Sequence, residues 1–114
     1  MTGRGIIVAA TLLALPAAAQ EVAVTLPLGP GAEVIAARYA CENGRDVPVQ
    51  YVNAGANALA LVTLDGEVLV FAGVVSGSGS RYVSGGREWW IKGDTATFTD
   101  QFDEGAATEC TAGE

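Results

Sequence analysis

The chain contains no histidine and only two cysteines, Cys41 and Cys110. The absence of histidine excludes a nucleophile–His–acid triad. Two cysteines alone cannot supply the four ligands of an ordinary zinc site. The sequence therefore predicts no metal site, and no motif in it indicates a cofactor.

Basic residues are scarce, because six Lys and Arg stand against thirteen Asp and Glu and the net charge is −7. An acidic surface repels nucleic acid and anionic membranes, so we expect neither as a partner. The same charge steers a basic partner toward the protein. The alternative is that acidity only keeps an exported protein soluble.

Long hydrophobic runs are also absent. The apolar stretch at residues 6–15 has ten residues, whereas a membrane-spanning helix needs about 20. Arg4 precedes this stretch and three alanines at residues 17–19 follow it, a pattern typical of a secretory signal peptide. We therefore expect residues 1–19 to be removed by cleavage after Ala19.

The expected mature chain of about 95 residues is long enough for one domain with a modest core. It begins with Gln20, whereas a lipoprotein anchor requires a cysteine there, so we expect no membrane anchor. An exported chain meets an oxidising compartment, where Cys41 and Cys110 are expected to form a disulfide. This bond closes a loop of about 70 residues, worth roughly 4 kcal/mol.

Turn signals divide the rest of the chain into short apolar runs. The Asp-Gly pair at residues 65–66 is typical of a two-residue hairpin, and similar breaks recur about every 8 to 12 residues, which predicts an all-β sandwich or barrel. A barrel is favoured, because closure leaves no exposed sheet edge. The predicted antiparallel strands are residues 34–42, 47–52, 58–64, 67–75, 80–84, 87–92, 95–102 and 106–110.

We assign residues 20–37 to an extended arm or linker and residues 38–114 to the barrel domain. Residues 22–26 are apolar enough to pair as a strand, but prolines and glycines follow at residues 27–31. Such residues favour an open conformation over a continued strand.

One region carries side chains that a plain barrel does not need. Ser78 lies in a Ser-Gly-Ser-Gly loop, and Lys92 ends a predicted strand that contains Trp89 and Trp90. Adjacent strand residues point to opposite faces, so one tryptophan is expected inside and the other outside or under a loop. Lys92 shares the face of Trp90 and can project beyond the sheet. The alternative is structural: a plain hairpin loop, a solvated lysine, and tryptophans that serve as core and cover.

These residues resemble the signature of the MliC/PliC family, bacterial inhibitors of c-type lysozyme. The family has a Ser-x-Ser-Gly-x-x-Tyr loop and, at fixed spacing, an aromatic-x-Lys-Gly-Asp-x-Ala-Thr segment. This chain has the first motif at residues 76–82 and the second at residues 90–97, with Tyr-x-Cys at residues 39–41 and Cys110 near the C-terminus. The resemblance covers about residues 38–110 and implies an eight-stranded antiparallel barrel.

The resemblance also implies residue roles. Ser78 and Lys92 are expected to enter the lysozyme cleft and bind the two carboxyl groups that flank the scissile bond. Arg81 and Tyr82 are expected to shape the loop, and Asp94 to support the turn that holds Lys92. The expected partner is a c-type lysozyme, a basic protein. The chain resembles the periplasmic rather than the membrane-bound branch.

Two other functions stay open at this point. Ser78 and Lys92 are the only plausible nucleophile–base pair, but a lysine beside a Gly-Asp turn in an acidic protein is expected to stay charged, so we predict no enzyme activity. The second is a barrel that binds a small ligand or a cell-wall sugar, on which an outward Trp90 could stack.

Overall fold

The computed structural model describes Gly3, Gly5 and residues 21–113, so the predicted signal peptide, apart from these two glycines, and the cleavage point after Ala19 lie outside the described residues. The described chain forms eight strands: β1 Glu33–Cys41, β2 Asp46–Ala54, β3 Asn57–Leu64, β4 Glu67–Val74, β5 Ser80–Ser84, β6 Arg87–Lys92, β7 Thr95–Asp100 and β8 Ala106–Ala112. Each strand pairs antiparallel with the next and β8 pairs with β1, which closes a barrel. The predicted fold class is confirmed.

All predicted strand bounds lie within two residues of the observed ones, and β5 and β6 begin and end where predicted. One of the two-residue differences, at the end of β7, follows a local hydrogen bond. The Asp100 carboxylate accepts a hydrogen bond of 2.8 Å from the backbone N–H of Phe102 and begins a short 3-10 helix, Gln101–Asp103. This turn ends β7 at Asp100 rather than at residue 102.

The first strand overlaps the C-terminal end of the predicted arm, residues 20–37. β1 begins at Glu33, so residues 33–37 belong to the barrel rather than to an arm that extends to residue 37. The reason is that they pair with β2, from Glu33 opposite Asn53 onward. Residues 21–32 form no strand. Within residues 21–113, moreover, the chain contains no helix of the length and hydropathy that crossing a bilayer requires.

Inward-facing side chains fill the barrel, and a tryptophan lies at its centre. Trp89 is fully buried, and its indole N–H donates a hydrogen bond of 2.8 Å to the hydroxyl of Tyr51. The hydroxyls of Tyr39 and Tyr51 are 2.7 Å apart and hydrogen-bonded. Burial, followed by the bond to Tyr39, raises the pKa of Tyr51, so this hydroxyl keeps its proton in the folded protein.

A disulfide joins the first and last strands, as predicted for Cys41 and Cys110. β1 and β8 share only three backbone pairs, and the two cysteines form one of them. The first and second strands share eight. The disulfide therefore reinforces one of the shortest pairings of the barrel.

Candidate functional site

Ser78 and Lys92 lie at the same end of the barrel. Ser78 is in the loop between β4 and β5, and Lys92 is the last residue of β6. In the β5–β6 hairpin Ser80 is opposite Ile91, so the end of this loop lies beside the end of β6. Both Ser78 and Lys92 are exposed.

Trp90 contacts both the loop and the lysine. Its indole N–H donates a hydrogen bond of 2.9 Å to the carbonyl oxygen of Ser78, which also accepts one from the hydroxyl of Ser76. The ammonium of Lys92 lies 4.0 Å from the centroid of the Trp90 ring. Trp89 is buried while Trp90 is half-buried on the outer face, which confirms that the two tryptophans face opposite sides.

Gly79 brings the loop into direct contact with β6. Its φ of +63° is a left-handed conformation that glycine adopts without steric cost. A Cβ at this position would overlap the carbonyl oxygen of Ile91 and lie 2.8 Å from Cγ of Lys92 and 3.1 Å from Nε1 of Trp90. Only glycine therefore lets the loop lie this close to the strand.

Lys92 differs from the described arginines in its surroundings. Within residues 21–113 every arginine forms an ion pair with N–O distances of 2.6–3.4 Å: Arg38 with Asp46, Arg45 with Asp65, Arg81 with Glu88 and Arg87 with Asp100. In the same part of the chain Lys92 forms no ion pair. A cation on an aromatic ring keeps its charge and its N–H donors, so Lys92 can bind the carboxylate of another molecule.

Arg81 and Tyr82 lie on opposite faces of β5. Arg81 faces outward, and its guanidinium donates to Glu88 at 2.6 Å from Nη2 and 3.2 Å from Nε. Tyr82 faces inward and packs on Tyr51, with ring centroids 5.6 Å apart. Tyr82 therefore belongs to the core beneath the loop, and burial raises the pKa of its hydroxyl.

Asp94 lies in the turn that follows Lys92. Its carbonyl oxygen accepts a hydrogen bond of 2.7 Å from the backbone N–H of Ala112, which ties the turn to β8. Among residues 21–113 the Asp94 carboxylate forms no ion pair. The contact that holds this turn therefore comes from the backbone of Asp94.

Three features of this end were not identified from the sequence: the indole donor of Trp90, the close approach of Gly79, and the exposure of Val75. Val75 is the first residue of the Ser78 loop and is 95% exposed. The Gly-Ser repeat was a signal for a tight loop at Gly79. The indole bond had no sequence signal, because it joins residues 12 positions apart through the shape of the loop.

Comparison with known proteins identifies the family. The family model described as "Membrane-bound lysozyme-inhibitor of c-type lysozyme" (MliC) matches residues 39–107. The chain belongs to the MliC family. This family inhibits lysozyme and is not an enzyme family, so the nucleophile–base alternative for Ser78 and Lys92 is dropped.

Two curated relatives carry the name "Membrane-bound lysozyme inhibitor of C-type lysozyme". The MliC relative from Pseudomonas aeruginosa is 46% identical over 72 residues, which cover 62% of this chain and 57% of the relative. The one from Cupriavidus necator is 40% identical over 68 residues, which cover 60% of this chain and 54% of the relative. The matched segment thus spans little more than half the length of each relative.

A solved structure is similar over more of the chain. It is the crystal structure of Pseudomonas aeruginosa MliC in complex with hen egg white lysozyme. The superposition has a TM-score of 0.70 at 38% sequence identity and covers 83% of this chain and 98% of the MliC chain. The barrel described above is therefore the fold of the MliC family.

Proposed function

We propose that this MliC-family protein inhibits a c-type lysozyme, and that Ser78 and Lys92 enter the active-site cleft to bind its two catalytic carboxyl groups. The observation that carries the proposal is the exposed ammonium of Lys92, which forms no ion pair within residues 21–113 and lies at the same end as the exposed Ser78. The solved relative is bound to hen egg white lysozyme, which supports the choice of enzyme.

The chemistry of the two side chains suits this target. Glycosidases such as lysozyme use two carboxyl groups that flank the scissile bond, one protonated and one ionised. The Lys92 ammonium has three N–H donors and a positive charge, and the Ser78 hydroxyl adds one O–H donor. Charge-assisted hydrogen bonds from these donors stabilise the complex. The same contacts exclude the substrate from the carboxyl groups.

The charge of the whole protein favours a basic enzyme as the target. The predicted mature chain carries five basic residues against thirteen acidic ones. Such a charge attracts a basic protein over a distance of about 8 Å at physiological salt, the Debye length, and raises the association rate. The positive Lys92 then lies within an otherwise acidic protein, so it can direct the docking of a cleft that contains carboxylates.

We further propose that the protein acts in the periplasm after cleavage of residues 1–19 behind Ala19. Two observations support this. The first is the Arg4, apolar run and alanine pattern of the N-terminus. The second is that the relatives are named membrane-bound, which places them in the cell envelope. Residue 20 is Gln, so this chain lacks the cysteine that a lipid anchor would need there.

The experiment is a turbidity assay of cell-wall lysis by hen egg white lysozyme with increasing amounts of the purified, disulfide-bonded protein. We expect dose-dependent inhibition that is lost in the Ser78→Ala/Lys92→Met double variant. Arg45→Met is the matched control, because it removes an exposed cation at the opposite end of the barrel. Absence of inhibition by the folded wild type would refute the function, and full inhibition by the double variant would refute the site.

A barrel that binds a small ligand or a sugar is less well supported. Trp89 and Phe71 are fully buried inside the barrel, as is usual for eight-stranded barrels. A cavity of about 420 Å³, lined in part by Leu64, Leu69 and Phe98, lies at the mouth opposite Ser78 and Lys92. On the outside, Lys92 and the loop already contact Trp90, which leaves less of its ring for a sugar. A saturable change in tryptophan fluorescence on titration with peptidoglycan fragments would support sugar binding.

A further inference from the structure

We propose that Trp90 is the positioning residue of the inhibitory site: its indole N–H fixes the Ser78 loop and its ring fixes Lys92, so that both are placed before lysozyme arrives. The inference rests on the proposed function. It starts from two contacts of one side chain, the 2.9 Å hydrogen bond to the Ser78 carbonyl and the 4.0 Å separation between the Lys92 ammonium and the ring centroid.

The loop needs such a contact because its sequence does not define one conformation. Residues 76–79 are Ser-Gly-Ser-Gly, and glycine has more backbone freedom than any other residue. A free loop of this kind loses entropy when it binds, and that loss weakens the complex. The bond from Trp90 and the close approach of Gly79 to β6 restrict the loop in the unbound protein.

The lysine needs a contact that does not neutralise it. A carboxylate neighbour would hold the ammonium but would have to be displaced when lysozyme binds. An aromatic ring attracts the cation through its quadrupole and leaves the charge and the donors available. The ring of Trp90 therefore restricts Lys92 without satisfying it.

Arg81 is the cation that could compete with Lys92 for Trp90. It is the backbone partner of Trp90 across the β5–β6 hairpin, so the two side chains share the outer face. The Arg81 guanidinium is instead bound to Glu88 by two hydrogen bonds. Glu88 thus keeps Arg81 engaged, and the cation found on the ring is Lys92.

Two variants separate this role from a purely structural one. Trp90→Phe keeps a ring for Lys92 but removes the donor to Ser78. Gly79→Ala keeps Trp90 but adds a Cβ that cannot fit against Ile91 and Lys92. Gly85→Ala is the matched control, because Gly85 has nearly the same φ, +57°, with open space around its Cβ position.

The first measurement is made on the free protein, without lysozyme. Hydrogen exchange of the two indole N–H groups is followed by NMR, with Trp89 as the internal reference because it is buried and bonded to Tyr51. We expect Gly79→Ala to speed exchange at Trp90 by about tenfold, the loss of one hydrogen bond, with no change at Trp89. Gly85→Ala should leave both unchanged. Unchanged exchange at Trp90 in Gly79→Ala would overturn the proposal.

The second measurement is the inhibition constant for hen egg white lysozyme. We expect Trp90→Phe to weaken inhibition about fivefold and Trp90→Leu, which also removes the ring, at least about tenfold. Lys92→Met should weaken inhibition less in the Trp90→Leu protein than in the wild type, because the two residues act through one contact. Phe102→Leu is the control. Phe102 lies in the 3-10 helix at the end of the barrel opposite Lys92, and its ring centroid is 5.2 Å from Cζ of Arg87, so this variant also removes a ring that contacts a cation.

The outcomes distinguish the two proposals. If the wild type inhibits and the Ser78/Lys92 double variant does not, but Trp90→Phe and Gly79→Ala inhibit fully, the positioning role is refuted and the function stands. If the wild type does not inhibit, the function is refuted, and indole exchange still decides whether Trp90 fixes the loop. Additive losses from Trp90→Leu and Lys92→Met would also refute the positioning role.

Discussion

The Lys92 ammonium lies 4.0 Å from the centroid of the Trp90 ring, while Arg81, the residue opposite Trp90 in the hairpin, is bound to Glu88 at 2.6 Å. Arg81 and Lys92 therefore lie on the same outer face beside one ring. Of these two cations, only Arg81 forms an ion pair within residues 21–113. This difference gives Lys92 its role in the proposed complex.

The first prediction concerns the charge of Lys92. Lys92→Met keeps the length of the side chain and removes its charge, so we expect lysozyme inhibition to weaken about 10- to 100-fold through loss of a charged hydrogen bond. Inhibition by Lys92→Arg should be weaker than by the wild type and stronger than by Lys92→Met, because the planar guanidinium keeps the charge but has a different shape. The melting temperature should fall by at most about 4–8 °C, because Lys92 is exposed and its contact with the Trp90 ring is worth about 0.5–1 kcal/mol. Equal inhibition constants for Met and Lys would contradict the prediction.

The second prediction concerns ionic strength. Attraction between an acidic inhibitor and a basic enzyme is screened by salt, so inhibition should weaken as NaCl rises from about 50 to 500 mM. Most of the change should appear in the association rate, measured by stopped-flow or surface plasmon resonance. An association rate that does not respond to salt would show that the excess of acidic over basic residues has no part in binding.

The third prediction concerns Val75. An apolar side chain that is 95% exposed beside the contact loop can lose that exposure in a complex. Val75→Ser should therefore weaken inhibition about 3- to 30-fold, the value of burying part or all of a valine. The matched control is Val70→Ser, because Val70 is 58% exposed on the outer face of β4, away from the loop. Equal effects of the two substitutions would exclude Val75 from the contact surface.

These sites differ in how well the sequence predicts them. The opposite faces of Trp89 and Trp90 and the bounds of β5 and β6 follow from strand alternation and turn residues, which are local properties. Strand alternation did not predict the end of β7. There the Asp100 carboxylate accepts a hydrogen bond from the backbone N–H of Phe102, and this bond competes with the strand hydrogen bonds. The Trp90–Ser78 bond depends on the folded shape of a flexible loop, which no local pattern encodes.

The fourth prediction concerns the disulfide. β1 and β8 share three backbone pairs, so this pairing relies on Cys41–Cys110. The Cys41→Ala/Cys110→Ala variant should lose about 2–5 kcal/mol of unfolding free energy, measured by urea denaturation. Hydrogen exchange should show the strongest loss of protection at Ala40 and Thr111, which form a pair of this seam. Uniform loss across all strands would contradict a local role for the bond.

The fifth prediction concerns alkaline pH. Burial raises the pKa of Tyr51 in the folded state above its unfolded value of 10.0, so the folded protein binds a proton that the unfolded chain releases. The resulting stability is present below about pH 10 and is lost as pH rises above it. Urea unfolding between about pH 8 and 11 should show this decline.

Tyr51→Phe provides the control for the alkaline decline. It removes the acceptor of the Trp89 indole, so stability at neutral pH should fall by about 1–3 kcal/mol. The decline above pH 10 should become shallower, because one titrating group is gone; Tyr82, whose pKa burial also raises, still contributes. An equally steep decline in Tyr51→Phe would contradict the assignment of this titration to Tyr51.

Competition for the lysozyme cleft tests directly whether Ser78 and Lys92 bind the catalytic carboxyl groups. Binding of the protein to hen egg white lysozyme is titrated calorimetrically, alone and with the cleft occupied by an oligosaccharide fragment of the cell wall. If Ser78 and Lys92 bind the catalytic carboxyl groups, the apparent Kd rises in inverse proportion to the fraction of lysozyme whose cleft is free. An unchanged Kd with the cleft filled would show that the protein binds elsewhere on lysozyme and would contradict the proposed roles of Ser78 and Lys92.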